Sequence, residues 1–311
     1  MRVLTGDRYE LTSGTTRAEV GALAAVLCAL EVDGVRLTET VPRDGLPPHG
    51  CGIVLAPWPN RVRDGRWTLD GEVQQLDISE PATGNASHGL LRNTGYRVLD
   101  RADDTLVLGA LIAPQHGWPF LIETSVHYVV SAYGLSVTHV ARNLGDRPAP
   151  WAVGAHPYFR VGETPVEDLT VTVARGRRLE LDDQLIPVAT HPVDAEYDLR
   201  TPRRVGDLDL NTGYALAPDD EWNAEAARLT APDGAAVSLW TDHAFGWIQA
   251  YTPRDFPRDG VAGQAIALEP MTAPPDALNS GEGLLWLEPG ESTQAAWGAT
   301  YHRAPAAAPA P

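Results

Sequence analysis

The chain predicts an all-β fold, a large antiparallel sandwich or barrel. Three observations carry that expectation: tight-turn dipeptides recur along it, apolar residues alternate with period two, and amphipathic helices are scarce. Six Asp-Gly pairs punctuate the 311 residues, at 33–34, 44–45, 64–65, 70–71, 233–234 and 259–260. Both residues tolerate positive φ, so Asp-Gly suits the tight turns of hairpins.

In chain order, ALEV-DG-VRLTE (29–39) predicts a hairpin about Asp33-Gly34, and NRVR-DG-RWTLDG (60–71) predicts another about Asp64-Gly65. LIETSVHYVVSAYGLSVTHVARNL (121–144) alternates with Ile122, Thr124, Val126, Tyr128 and Val130 on one face. It turns at Ala132-Tyr133-Gly134 and alternates again through Leu135, Val137 and His139. DDEWNAEAARL (219–229) predicts at most a short helical turn before a further strand, AAVSLWTDH (235–243). The apolar run Ala265–Leu268 predicts a strand that ends on Glu269, because Pro270, Pro274 and Pro275 form a break that no regular element should cross. No repeat of 20–50 residues and no internal linker interrupts this pattern. Residues 1–302 therefore read as one domain, and RAPAAAPAP (303–311) reads as a disordered Pro/Ala tail.

Composition excludes several chemistries. All 24 basic residues are Arg, so no Lys is present to form a Schiff base, anchor a pyridoxal cofactor or serve a phosphate loop. The net charge of −17 opposes nucleic acid and anionic membrane surfaces as partners. Cys28 and Cys51 are the only cysteines; they form no C-x-x-C, sit in apolar or Gly-containing surroundings and read as reduced core thiols. With no hydrophobic signal core near residue 1 and no apolar run of ~20 residues, the cytoplasm is the expected compartment. No zinc spacing, nucleophile elbow, dinucleotide loop or EF-hand occurs.

Four stretches set polar groups into apolar or turn-rich contexts. LAPWPNRVRDGRW (55–67) carries Asn60, Arg61 and Arg63; NASHGLLRNTGY (85–96) carries His88; WAVGAHPYF (151–159) carries His156; ALEPMTAPPDALNSG (267–281) carries Glu269. Singly, each has a structural explanation: a surface Arg in a turn, a solvated His, a core His bonded to a carbonyl, an acid at a strand end. The adjacent acids Asp182-Asp183 and Asp219-Asp220 read as solvated turns.

In order and spacing, the four stretches resemble the motifs of the aldose 1-epimerase, or galactose mutarotase-like, family. PWPNRVRDGRW resembles its P-x-x-N-R-[IV] segment, SHGLLR its His-Gly loop, GAHPYF its His-Pro-Tyr signature, and ALEPMTAPPDALNSG its Glu-Pro strand and loop. DLDLNTGYA (207–215) resembles its short Asp-bearing segment, and the resemblance runs from about Tyr9 to Tyr301. It implies a galactose mutarotase-like supersandwich, an antiparallel β-sandwich, and interconversion of the α and β anomers of a free aldose such as glucose or galactose, without cofactor or metal. It further implies Glu269 as general base and His156 as general acid at the ring oxygen, with His88 beside that oxygen. Arg61, Asn60 and Asp209 would bind sugar hydroxyls, with Asp207 as the competing acid two residues away.

Partial burial should then raise Glu269, and a nearby carboxylate should keep His156 cationic. The pair should converge across a space one pyranose wide. Trp58, Trp247 and Tyr158 are the candidate aromatic platforms for a sugar face. Three alternatives stand beside this reading. A phosphorylated or sulfonated sugar would recruit Arg63, Arg92 or Arg160; a non-catalytic carbohydrate-binding protein would not need the Glu/His pair; a glycoside hydrolase would need two flanking carboxylates. The expected partner is a small-molecule sugar, and monomer and homodimer are both open.

Overall fold

A computed structural model describes residues 3–217, 224–258 and 260–305. Two large sheets dominate it. A nine-stranded sheet runs in the order Arg97–Arg101, Thr105–Ile112, Ile122–Ser131, Gly134–Asn143, Ser292–His302, Ala236–Thr241, Glu225–Thr230, Thr170–Val173, Arg203–Arg204. The second sheet runs Pro187–Pro192, Arg177–Leu181, Asn211–Ala215, Trp247–Tyr251, Ile266–Met271, Gly154–Ala155, Val54–Leu55, with Tyr158–Phe159 also paired to Ile266–Met271. The paired strands are antiparallel throughout both sheets. A four-stranded N-terminal sheet, Arg8–Ser13, Thr16–Gly21, Leu27–Val32 and Val35–Arg36, lies against the nine-stranded one.

The alternation in 121–144 folds as the sequence predicts. Ile122, Thr124, Val126, Tyr128 and Val130 are all buried, as are Leu135, Val137 and His139 on the paired strand. The apolar residues among them enter one core together with Ile248, Ala250 and Leu268 of the second sheet. Burying such side chains at ~25 cal/mol per Å² is the main stabilising term of a sandwich.

Two turn expectations divide. Asp33 and Gly34 take φ of 54° and 76° and close the hairpin between Leu27–Val32 and Val35–Arg36. Asp64-Gly65 closes no hairpin. Arg61–Val62 pairs instead with Ala86–Ser87, and Arg63–Gly65 forms a single tight turn whose Asp64 amide donates to Asn85 Oδ1 at 3.2 Å. The hairpin lies one dipeptide later, at Asp70-Gly71, joining Arg66–Leu69 to Glu72–Gln75.

Pro270 also departs from expectation, because the strand Ile266–Met271 runs through it and Glu269 is not its last residue. The amides of Leu268 and Thr272, on either side, donate to Pro157 and Val153. The Pro270 nitrogen therefore faces the place where the neighbouring strand is interrupted between Ala155 and Tyr158, so no ladder bond is lost there. The loop beyond holds a single helical turn, Ala277–Ser280, which the sequence did not signal. Within the expected helical turn of 219–229, Glu225–Thr230 is strand, and residues 219–223 lie outside the described residues, as do 306–311 of the predicted tail.

Gly89 is required twice over. Its φ is +71°, and a Cβ there would lie 2.0 Å from the carbonyl oxygen of Ala56, which accepts the amides of Leu90 and Leu91. Gly71, with φ +85°, meets nothing within 4 Å. Urea unfolding should therefore separate the two: Gly71→Ala should cost about 1 kcal/mol, and Gly89→Ala upward of about 3 kcal/mol through backbone displacement.

Candidate active site

The second sheet carries the site because its register sorts side chains by face. Asn211 pairs with Tyr251, Gly213 with Gln249, and Gln249 with Glu269. Directly opposed residues share a face, so Asn211, Gln249, Tyr251 and Glu269 point one way, while Tyr214, Ile248, Ala250 and Leu268 point into the core. The polar face lines a cavity of about 510 Å³, closed by Asn60, Arg61, Glu80, His88, Arg92, His49 and His156. That volume falls in the range of small-ligand sites.

Glu269 is 2 % exposed and His156 is 4 % exposed. His156 sits in the interruption beside Ile266–Met271, held by its amide to Ile53 O at 3.0 Å and its carbonyl to the Gly52 amide at 2.8 Å. Its ring stacks on Tyr158 with centroids 5.2 Å apart and planes 12° apart. Its Nε2 lies 3.5 Å from Glu269 Oε1. Glu269 Oε2, Gln249 Oε1 and the Nδ1 atoms of both His88 and His156 are buried without a hydrogen-bond partner in the protein. Orphaned polar atoms gathered on one cavity are the groups a polyhydroxylated ligand would satisfy.

Burial decides the protonation. It pushes Glu269 up to about 8, against the downward pull of Arg61. It pushes His156 down to about 3, so this ring is uncharged, not cationic as the neighbouring carboxylate had suggested. Desolvation of both partners outweighs the attraction they would feel as an ion pair. His88, edge-on to His156 at 5.3 Å, is likewise lowered well below the usual range by burial and by that neighbour.

The other expected residues distribute as follows. Asn60 and His88 sit at positive φ, 57° and 63°, on facing turns joined by His88 N donating to Asn60 O at 2.8 Å. Arg61 reaches the cavity with its fork already engaged: Nε and Nη2 donate to Glu80 at 2.6 and 2.8 Å, and Nη1 to Asn60 Oδ1 at 3.1 Å. The Pro-rich loop aligns this segment. Asp276 donates its amide to Arg61 O at 2.6 Å and accepts from the Arg63 amide at 2.9 Å, while Asn279 Nδ2 donates to Arg66 O at 2.9 Å.

Asp209 does not line this cavity. It is exposed in an adjoining groove of about 740 Å³ that shares Leu185 and Asn211 with it, and its charge acts on Tyr251. Asp207 turns away to pair with Arg204 at 3.5 Å. None of the proposed aromatic platforms lines the cavity. Trp58 packs on Trp118 in the core, Tyr158 lies behind His156, and Trp247 covers Gly283; Tyr251 is the aromatic side chain that does line it. Arg63 pairs with Asp182 at 2.6 Å, and Arg160 lies 3.6 Å from Glu39, both away from the cavity.

Sequence reasoning missed Gln249, Tyr251, Asn211, Glu80 and His49. WIQAY carried a usable signal, because polar Gln249 interrupts an otherwise apolar strand. Nothing marks Glu80, which lies 19 residues from the Arg61 it holds. Among the described residues no group of three or more His, Cys, Asp or Glu could hold a metal ion, and no helix is long and apolar enough to cross a membrane.

Fold and cavity together define a class, the β-supersandwich proteins that carry a polar cavity on one sheet face. The family follows from comparison with known proteins. Residues 7–298 match the model of the aldose 1-epimerase family, and the chain belongs to that family, whose members are isomerases of carbohydrate metabolism. An Escherichia coli K12 protein named YihR, described as uncharacterized, is 31% identical over 291 residues, 92% of this chain and 91% of its own. Rat galactose mutarotase is 30% identical over 169 residues, 50% of this chain and 46% of its own. Among solved structures, the aldose epimerase homologue of C. elegans superposes with TM-score 0.83 at 18% identity, covering 96% of this chain and 99% of its own. A putative aldose 1-epimerase of E. coli K12 superposes with TM-score 0.81 at 22% identity, covering 95% and 99%.

The raised Glu269 links stability to pH. Below about 4.5 the folded and unfolded carboxyls are both protonated; above it only the unfolded one ionises, which favours unfolding until about pH 8. The contribution of this residue to stability should therefore fall across pH 4.5–8. Glu269→Gln should remove that dependence and stabilise the protein at pH 8 by on the order of a few kcal/mol, read as a higher Tm and urea midpoint.

Proposed function

We propose that this protein interconverts the α and β anomers of a free aldose by acid–base catalysis of ring opening and closure. The observation that carries the reading is the buried Glu269–His156 pair, 3.5 Å apart at the floor of a polar cavity. O1 and O5 of a pyranose are bonded to the same carbon. A base for one and an acid for the other can therefore sit close together, and at 3.5 Å the pair is nearer than the pyranose-wide gap the sequence suggested.

Between about pH 3 and 8 the pair holds one transferable proton. In the empty site that proton rests on Glu269. Sugar hydroxyls donating to the carboxylate favour its transfer to His156, giving a base and an acid together. Glu269 then takes the proton of the anomeric hydroxyl while His156 protonates the ring oxygen. The C1–O5 bond breaks, an aldehyde forms, and the residues hold the opposite protonation. Rotation about C1–C2 presents the other carbonyl face, and the reverse transfers close the ring with no net consumption of protons.

His88 supports the ring-oxygen side, Tyr251 offers an apolar face, and Arg61, Asn60, Asn211 and Gln249 offer hydroxyl partners. Asp209 would reach a substituent extending toward the groove.

Polarimetry with α-D-galactose and α-D-glucose tests the proposal. Wild-type protein should accelerate anomerisation, and Glu269→Gln and His156→Asn should each lower kcat by ~10²–10⁴-fold. Near-normal rates in Glu269→Gln would overturn the mechanism. Sugar binding without any acceleration across a panel of aldoses would make the protein a binding module. The rate should hold through neutral pH and decline above about 8, where the pair loses its single proton.

A further inference from the structure

Two hollows meet beside the second sheet. The cavity of about 510 Å³ holds the Glu269–His156 pair, and the groove of about 740 Å³ adjoins it. Of the residues that line either, two line both, Asn211 and Leu185. Asn211 belongs to the floor. It faces the same way as Glu269 from a strand two removed, which sets the two backbones about 10 Å apart. Leu185 comes from the turn between Arg177–Leu181 and Pro187–Pro192. The floor thus runs on from cavity to groove, and Leu185 stands at the boundary.

Leucine is an unexpected residue for that place. Its φ is 61°, a left-handed conformation that Gly adopts freely and that strains a residue with a Cβ. The turn enforces it: the Leu185 amide donates to Asp182 O at 2.9 Å, and the Gln184 and Ile186 amides donate to Asp182 Oδ1 at 2.9 and 3.0 Å. Gly would make the same turn without strain. The side chain does not serve the core either, because it is half-buried and joins none of the apolar clusters among the described residues.

The turn is also anchored. Arg63 donates to Asp182 Oδ2 at 2.6 Å and to Gln184 Oε1 at 2.8 Å. Gln184 Nε2 donates to Asp64 Oδ1 at 3.0 Å, and Asn85 Nδ2 donates to Gln184 O at 2.8 Å. These bonds tie the turn to the segments that bear Arg61 and His88, both of which line the cavity. A strained residue kept at a pinned turn, with its side chain between two hollows, points to a role at that boundary.

We infer that Leu185 is a specificity-determining wall that limits the substrate to a single sugar ring. This rests on the acid–base reading above and narrows its substrate class to free monosaccharides. With C1 and O5 held at Glu269 and His156, whatever part of the sugar reaches Asn211 is remote from the anomeric centre, and it meets Leu185 next. A lone substituent reaching toward Asp209 is compatible with that wall. A second ring linked there would need the space the isobutyl group fills. Beyond the wall, the groove offers apolar surface at Leu181 and Tyr197 beside the polar groups of Arg178 and Asp209, the mixture a sugar ring binds. Removing the wall should therefore admit a disaccharide by its reducing end.

The test is anomerisation followed by NMR exchange, with glucose beside its 2-, 3-, 4- and 6-linked reducing disaccharides kojibiose, nigerose, maltose and isomaltose, and galactose beside the matching galactobioses. In wild-type protein, the linkage that points at Leu185 should fall below its monosaccharide in kcat/KM by about 10- to 100-fold. Leu185→Gly, which keeps the turn without strain, should raise that disaccharide-to-monosaccharide ratio about 10-fold or more, mainly through KM. Leu185→Asn also tolerates this φ but keeps a side chain of similar size, and it should retain the discrimination. Wild-type turnover of every disaccharide as efficiently as its monosaccharide overturns the inference and leaves the mutarotase reading standing. Ratios unchanged in Leu185→Gly also overturn it, as does an equal gain in Leu185→Asn, which would place the effect in the backbone. Acceleration of no sugar overturns the mutarotase reading. Saturation-transfer NMR on the same panel then compares binding, and equal disaccharide-to-monosaccharide affinity ratios in wild type and Leu185→Gly overturn the wall as well.

Discussion

The site depends on keeping a carboxyl group and an imidazole out of water and next to each other. In an exposed setting the pair would ionise, because water stabilises both charged forms. Burial reverses the usual preference and leaves both groups neutral, one proton transfer away from the charged form. The surroundings serve that condition. Tyr158 backs the imidazole, Gly50 leaves room at its Cδ2 edge, and Arg61 has its charge matched by Glu80, which limits how far it can pull Glu269 down.

The sheet register converts a stability requirement into a chemical surface. One face of Trp247–Tyr251 and Ile266–Met271 supplies the apolar side chains that join the nine-stranded sheet in a common core. The period of two then forces the alternate side chains outward together. The polar groups of the cavity are thus fixed by the same hydrogen bonds that hold the sandwich, with Arg61, His88 and His156 added from segments outside these two strands. A one-residue slip would exchange the two sets, so the packing of Ile248 and Leu268 guards the placement of Gln249 and Glu269.

Much of this was legible in the amino-acid order. Alternation in 121–144 is a local signal set by a half-buried sheet, and it survived folding residue for residue. The Asp-Gly turns were legible as turns but not as hairpins: whether Arg61–Val62 pairs with its neighbour or with Ala86–Ser87 depends on a non-local competition that no dipeptide encodes. Pro270 misled because its compatibility with a strand depends on a gap in another strand over a hundred residues away. The protonation of His156 misled because proximity to an acid is visible in a motif, whereas the depth of burial is a property of the assembled core. Asp209 was near the right place along the chain, but its side chain faces the adjoining groove. Glu80, the partner of Arg61, had no local signature.

The clamp made by Asp276 and Asn279 carries a kinetic consequence. These side chains and the loop that bears them close onto residues 61–66, more than two hundred positions earlier. Contacts of such long sequence separation are expensive in loop-closure entropy and form late. On the ribosome, the earlier half of the chain must wait with its cavity unwalled and its sheet edge unpaired until the segment bearing Glu269 has emerged. Vectorial synthesis thus makes competence the last event of maturation, and the interval before it is when the nascent chain is most exposed to aggregation.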